Sequence, residues 1–205
     1  VNGCTFDNNL PCIAEKEIVA VDSIADELLH YMVSEQGCYM ISKEEQDALT
    51  EVVLKGGRLN RKCVGRDAKT LLGMIGITVP DNIRCITFEG PKEHPLIAEE
   101  LMMPILGVVR AKDFDDAVEQ AVWLEHGNRH SAHIHSKNVD NITKYAKAID
   151  TAILVKNGPS YAALGFGGEG YCTFTIASRT GEGLTSASTF TKRRRCVMTD
   201  SLCIR

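Results

Sequence analysis

The sequence predicts an α/β fold with a mostly parallel sheet flanked by helices, on three observations. Short apolar segments of strand length alternate with amphipathic segments of helical spacing. The alternation keeps a βαβα order over most of the chain. No internal repeat or low-complexity stretch interrupts it. Strands joined through helices pair in parallel, because the crossover helix returns the chain to the same end of the sheet.

The elements follow in order. Glu17–Val21 is apolar enough for a strand. Ser23 is placed to cap a helix through about Gln36, with Ile24, Leu28 and Tyr31 on one face and Gly37 as its stop. Cys38–Ile41 is a short strand. Ser42 and Glu45 have capping-box spacing, so a helix opens there. Asp67–Ile75 is a weaker helix and Asn82–Phe88 a strand. Ile105–Ala111 is an apolar strand. Phe114–Glu125 is a helix whose Ala117, Val118, Ala121, Val122 and Leu124 are spaced for burial. His130–His135 and Ala152–Val155 are strands on either side of a helix over Val139–Ile149. After Asn157 the chain turns rich in Gly, Ser and Thr, the composition of loops that often line sites. The tail Arg194–Ile204 alternates enough to form a last strand.

A chain of 205 residues suffices for one well-buried domain with an appendage. A net charge of −4 gives no general reason to expect nucleic acid or an acidic membrane as partner. No apolar run approaches the ~20 residues that span a bilayer. The start, Val1-Asn2-Gly3-Cys4, has neither the basic nor the apolar region of a signal peptide and no initiating Met, so the chain reads as a fragment or processed product. The eight cysteines are scattered without a CxxC pair, which favours free thiols in a reducing cytosol. Cys38 and Cys85 lie in strand-like apolar segments and read as small buried hydrophobes.

The segment with chemical promise is Phe6-Asp7-Asn8-Asn9-Leu10-Pro11-Cys12-Ile13-Ala14-Glu15-Lys16. Pro11 suits the first position of a helix and Asn9 the position before it, which would put Cys12 in a first helical turn. Unpaired N–H groups there favour a thiolate. A buried structural cysteine is the alternative from local chemistry alone.

Four stretches, in this order along the chain, carry a resemblance. They are Asn8-Asn9-Leu10-Pro11-Cys12; Glu99-Glu100-Leu101-Met102-Met103-Pro104-Ile105; the run from His126 through His130-Ser131-Ala132-His133 to His135; and Arg194-Arg195-Cys196-Val197-Met198-Thr199-Asp200. Together they resemble CoA-acylating aldehyde dehydrogenases of the propionaldehyde and acetaldehyde group found in bacterial microcompartments.

The resemblance implies residues 1–190 as an aldehyde dehydrogenase catalytic domain and residues 191–205 as an oligomerisation tail, with the nucleotide-binding domain absent from this chain. It implies Cys12 as the nucleophile, Glu100 as the carboxylate that contacts the nicotinamide ribose, NAD as cofactor and coenzyme A as co-substrate. The implied reaction converts a short-chain aldehyde to acyl-CoA through a cysteine thiohemiacetal and a thioacyl-enzyme, in a homo-oligomer of the cytoplasm or a microcompartment lumen. The family's oxyanion-hole asparagine belongs to the absent domain, leaving the Cys12 N–H.

Other readings stay open. His126, His130, His133 and His135 suggest a metal site, but strand alternation sets His130 opposite His133 and His135 and no second ligand set lies nearby, so none is expected. His130 is then either a core histidine or one lining a CoA channel. Gly165-Phe166-Gly167-Gly168-Glu169-Gly170 lacks the strand, helix and acidic residue of a dinucleotide fingerprint and reads as a loop. Lys192-Arg193-Arg194-Arg195 is either a phosphate-attracting run or a solvated strand end. Two rival classes are a non-catalytic assembly module and a Cys/His thioester hydrolase.

Overall fold

The computed structural model describes residues 1–170, 172–176, 184–197 and 199. Its centre is a four-stranded parallel sheet of β1 (Glu17–Val21), β2 (Cys38–Met40), β3 (Cys85–Glu89) and β4 (Ile105–Ala111), in the order β1-β4-β3-β2. A second parallel pair joins β5 (Ser131–Ile134) to β6 (Ile153–Lys156), and β7 (Thr175–Ile176) with β8 (Leu184–Thr185) forms a small antiparallel pair. The helices are α1 (Asp22–Ser34), α2 (Lys43–Val53), α3 (Ala68–Met74), α4 (Pro95–Ala98), α5 (Phe114–Leu124) and α6 (Val139–Ile149). The expected parallel α/β architecture is therefore present. Among the described residues no helix is long and apolar enough to cross a membrane.

The central strands are apolar on both faces because helices cover both. Phe88, Ile86 and Ile105 pack with Leu49, Leu71 and Leu96 in the larger core. Ala20, Leu106 and Val108 pack with Met32 of α1 and with Cys4, Cys38 and Cys85 in a second core. Cys38 and Cys85 face one another across β2 and β3 as buried, unbridged thiols, as expected. A third cluster joins Val118 of α5 to Ala132, Ile134, Tyr145 and Ile149. Each fully buried large side chain contributes about 1.5–3 kcal/mol of burial free energy.

Several boundaries move for local reasons. Ser23 does not cap α1; the helix starts at Asp22 straight after the extended Val21, and ends at Ser34. Gly37 still stops the chain, with φ +67° and a carbonyl that accepts from the Arg84 and Cys85 N–H groups. The strand expected from Asn82 starts at Cys85, because a turn closed by Ile83 N–H to Pro80 O takes up its first residues. Ser42 and Glu45 do form the capping box, and Asp67 caps α3 through the Thr70 N–H. Arg194–Val197 and Thr199, the described part of the expected last strand, carry no regular structure and are exposed. The rest of that strand, Met198 and Asp200–Ile204, lies outside the described residues.

Candidate active site

The loop before β1 carries Cys12, and it is not a helix N-terminus. Phe6–Asn9 forms a single tight turn in which Asp7, Asn8 and Asn9 all have left-handed backbones, a conformation that Asp and Asn tolerate best among side-chain-bearing residues. Pro11–Ala14 is a turn closed by Ala14 N–H to Pro11 O at 2.9 Å. Pro11 fits a turn as well as a helical first position, because both need its fixed φ. The helix-dipole argument for a Cys12 thiolate therefore does not hold here.

Asn9 holds the loop from within. It is buried, and its Nδ2 donates to Cys4 O at 3.1 Å and to Glu15 O at 2.7 Å, tying together the segments before and after Cys12. On the far side Ser131 Oγ donates to Ile13 O at 3.4 Å.

The nearest polar partner of the Cys12 thiol is a side chain 118 positions away. His130 Nε2 lies 3.0 Å from Cys12 Sγ. The contact is either a thiol donating to a bare Nε2 or an Nε2–H donating to a thiolate, and one proton transfer interconverts the two. The His130 backbone is held on both sides, its N–H by Glu125 Oε1 at 3.1 Å and its carbonyl by the Ile153 N–H at 3.0 Å. Cys12 is exposed, whereas Cys4, Cys38, Cys63 and Cys85 are buried. The Cys12 N–H has no hydrogen-bond acceptor among the described residues and is free to receive an oxyanion.

Cys12, Glu15, Lys16, Glu100, His130 and His133 all line one cleft of about 1240 Å³. Lys16 Nζ donates to Cys12 O at 3.3 Å and pairs with Glu100 Oε1 at 3.4 Å, so Glu100 reaches the Cys12 loop through one lysine. Glu100 remains 53% exposed, with acceptor capacity left for hydroxyl groups. Glu17, in the same wall, is pushed up to about 7 by burial, with Lys16 pulling the other way.

The histidines do not converge. His126 Nε2 lies 3.2 Å from Ala98 O, His130 meets Cys12, and His135 is exposed. Among the described residues no group of three or more His, Cys, Asp or Glu is placed to hold a metal ion. Residues 165–170 form a loop behind a helical turn at Ser160–Leu164. The basic residues Lys192–Arg195 are exposed in an irregular segment. His130 is the site residue that sequence reasoning placed loosely, as a core or channel histidine. Its pairing with Cys12 had no local signal, since it depends on how the β5 approach crosses the Cys12 loop.

Residues 82–191 match the aldehyde dehydrogenase family. The chain belongs to that family. It is 46% identical over 207 residues to an acetylating acetaldehyde dehydrogenase of Salmonella typhimurium, covering 98% of this chain and 44% of that protein. It superposes with a TM-score of 0.93 and 82% identity on a propionaldehyde dehydrogenase from the Clostridium phytofermentans fucose utilisation bacterial microcompartment, covering all of this chain and 47% of that one. That protein has also been solved with one cysteine and one histidine each replaced by alanine, at positions separated by as many residues as Cys12 and His130. A propionaldehyde dehydrogenase of Rhodopseudomonas palustris, solved with bound CoA and an acylated cysteine, is 55% identical with a TM-score of 0.91 over 96% of this chain and 45% of that one. The present aldehyde dehydrogenase chain thus spans less than half the length of these relatives.

Proposed function

We propose that these 205 residues are the nucleophile-bearing part of an oxidoreductase that converts a short-chain aldehyde to acyl-CoA with NAD. The observation that carries this is the 3.0 Å contact between His130 Nε2 and Cys12 Sγ in an open cleft. It is supported by the likeness to the Rhodopseudomonas enzyme with its acylated cysteine and bound CoA.

The chemistry follows from the side chains. His130 takes the thiol proton, and the Cys12 thiolate adds to the aldehyde carbonyl carbon, forming a C–S bond as the C=O π pair moves to oxygen. The Cys12 N–H faces that oxyanion. Held with its ribose on Glu100, a nicotinamide would accept the hydride released as the oxyanion collapses, which would leave a thioester on Cys12. The His130 imidazolium gives its proton up to solvent and, neutral again, accepts the proton of the CoA thiol, whose sulfur attacks the thioester and releases the Cys12 thiolate. Glu100 fits the nicotinamide ribose by its acceptor chemistry: an exposed carboxylate in the cleft accepts two hydroxyl hydrogen bonds, and Lys16 holds it in place. A homo-oligomer joined through residues 191–205, a companion nucleotide-binding domain, and a location in the cytoplasm or a microcompartment lumen complete this reading.

The Cys12–His130 geometry also suits a thioester hydrolase, which would release acid without reducing NAD. Following NADH absorbance together with acyl-CoA formation, in the protein extended to the length of its relatives, separates the two. Acyl-CoA and NADH should appear in equal amounts, and acid without NADH would support the hydrolase. Glu100→Gln in that protein should lower hydride transfer at least about tenfold. Its stability should change by less than about 1 kcal/mol, because the Lys16–Glu100 pair is exposed. Wild-type turnover in the variant would make Glu100 a surface charge.

A further inference from the structure

The residues flanking Cys12 and His130 repeat the same pairing one step deeper. Cys12 stands against His130 and Ile13 O accepts from Ser131 Oγ, both across an offset of 118 residues, and the same offset matches Glu15 with His133 in the same cleft wall. Two polar atoms at this deeper level, Glu15 Oε2 and His133 Nε2, are buried without a hydrogen-bond partner among the described residues. Buried polar atoms are nearly always satisfied, so a cleft wall that holds two of them is organised around a partner or a proton.

The rest of Glu15 is fully engaged. Its Oε1 accepts from the Ser160 N–H at 2.9 Å, at the start of the helical turn Ser160–Leu164. Its carbonyl accepts from Asn9 Nδ2. The carboxylate lies so close over Gly3 that a Cβ there would come within 1.8 Å of Oε2. One side chain thereby ties the Cys12 loop to two other segments. The charged and titratable groups around His133 are Glu15, His135 and Lys16, and Lys16 is drawn away towards Glu100. Burial pushes the His133 imidazole down, and the Glu15 carboxylate is the group that pulls it back up.

We propose that Glu15 and His133 form a buried acid–base couple that positions the Cys12 loop against His130. The imidazole, by directing an Nε2–H towards Oε2 through a water, keeps the carboxylate turned inward, where its other oxygen holds Ser160. Glu15 and His133 are positioning residues here: neither is in contact with Cys12 Sγ. The proposal rests on the reading of Cys12 as the nucleophile.

Two variants of this chain separate charge from tether. Glu15→Gln keeps an oxygen for Ser160 and loses the charge, and Glu15→Ala loses both. Imidazole nitrogen NMR should show the His133 titration moved to lower pH in Glu15→Gln, because a negative charge that favoured the imidazolium is gone. Alkylation of Cys12 by iodoacetamide should slow modestly in Glu15→Gln and on the order of tenfold in Glu15→Ala, with unchanged circular dichroism. A His133 titration unmoved in Glu15→Gln overturns the couple, whether or not the alanine variant folds. Wild-type Cys12 alkylation in a folded Glu15→Ala overturns the positioning role. If Cys12 in the parent chain labels after Cys172 and Cys196, the nucleophile reading fails separately, and the His133 titration still decides the couple.

Discussion

The 3.0 Å contact between Cys12 and His130 sets what the chemistry of this thiol should look like. A free thiol is a few per cent thiolate at neutral pH, and a histidine at hydrogen-bond distance raises that fraction. Limiting iodoacetamide, read by peptide mass, should therefore label Cys12 ahead of the exposed Cys172 and Cys196. Cys4, Cys38, Cys63 and Cys85 should be protected by burial until the chain unfolds. Burial also pushes the Cys63 thiol up, which adds to its inertness. In His130→Gln the Cys12 rate near neutral pH should fall about tenfold, to the level of an ordinary exposed thiol. A rate unchanged by that substitution would mean the 3.0 Å contact plays no part in activation. Asn9 acts at the same scale by a different route: a buried amide bridging Cys4 and Glu15 fixes the loop's shape without touching the sulfur.

At the scale of elements, β1 links the nucleophile loop to the core and carries Glu17 into the cleft wall. Burial raises this carboxyl from 4.5 to about 7, so the fold favours its protonated form. The stabilisation is complete below about 4.5 and is lost as pH rises through about 7. Burial also pushes the Tyr145 hydroxyl up to about 12, with the Glu17 and Glu125 carboxylates adding to the effect. Glu17→Gln should thus unfold at higher denaturant than the parent chain at pH 8, by about 1–3 kcal/mol, with the difference vanishing below about pH 4.5. Equal midpoints at both pH values would show that Glu17 is solvated. The elements themselves were legible where the signal is local. β1, β4 and α6 occupy the expected residues because apolar runs or helical spacing are bounded by polar ones. The Ser42–Glu45 box was legible because both halves lie three residues apart. Pro11 was misread because one fixed φ serves a turn and a helix start alike. Of the site, Cys12 and Glu100 were named through the resemblance and lie in one cleft. The His130 partnership was not legible, since it joins residues that only the fold brings together.

For the whole molecule the open question is what covers its end. The segment Arg194–Ile204 contains Cys196, Val197, Met198, Leu202, Cys203 and Ile204, a large apolar share for so short a stretch. Val197 is 80% exposed, and Phe190 just before the basic run is 75% exposed. Exposed apolar side chains gathered at one end of a chain mark a surface that seeks a partner. A segment without regular structure in one chain can complete as a strand against the edge of another, where unpaired N–H and C=O groups serve as template. The chain should therefore self-associate through residues 191–205, and the Lys192–Arg195 charges should keep the contact specific by opposing misaligned pairing of identical tails. Truncation after Lys192 should shift the mass seen by light scattering towards the monomer while leaving the helix signal in circular dichroism intact, because α1 to α6 all lie upstream. Equal masses for the truncated and complete chains would place the assembly surface elsewhere, for example on the outer edges of β1 and β2, which pair with no further strand among the described residues.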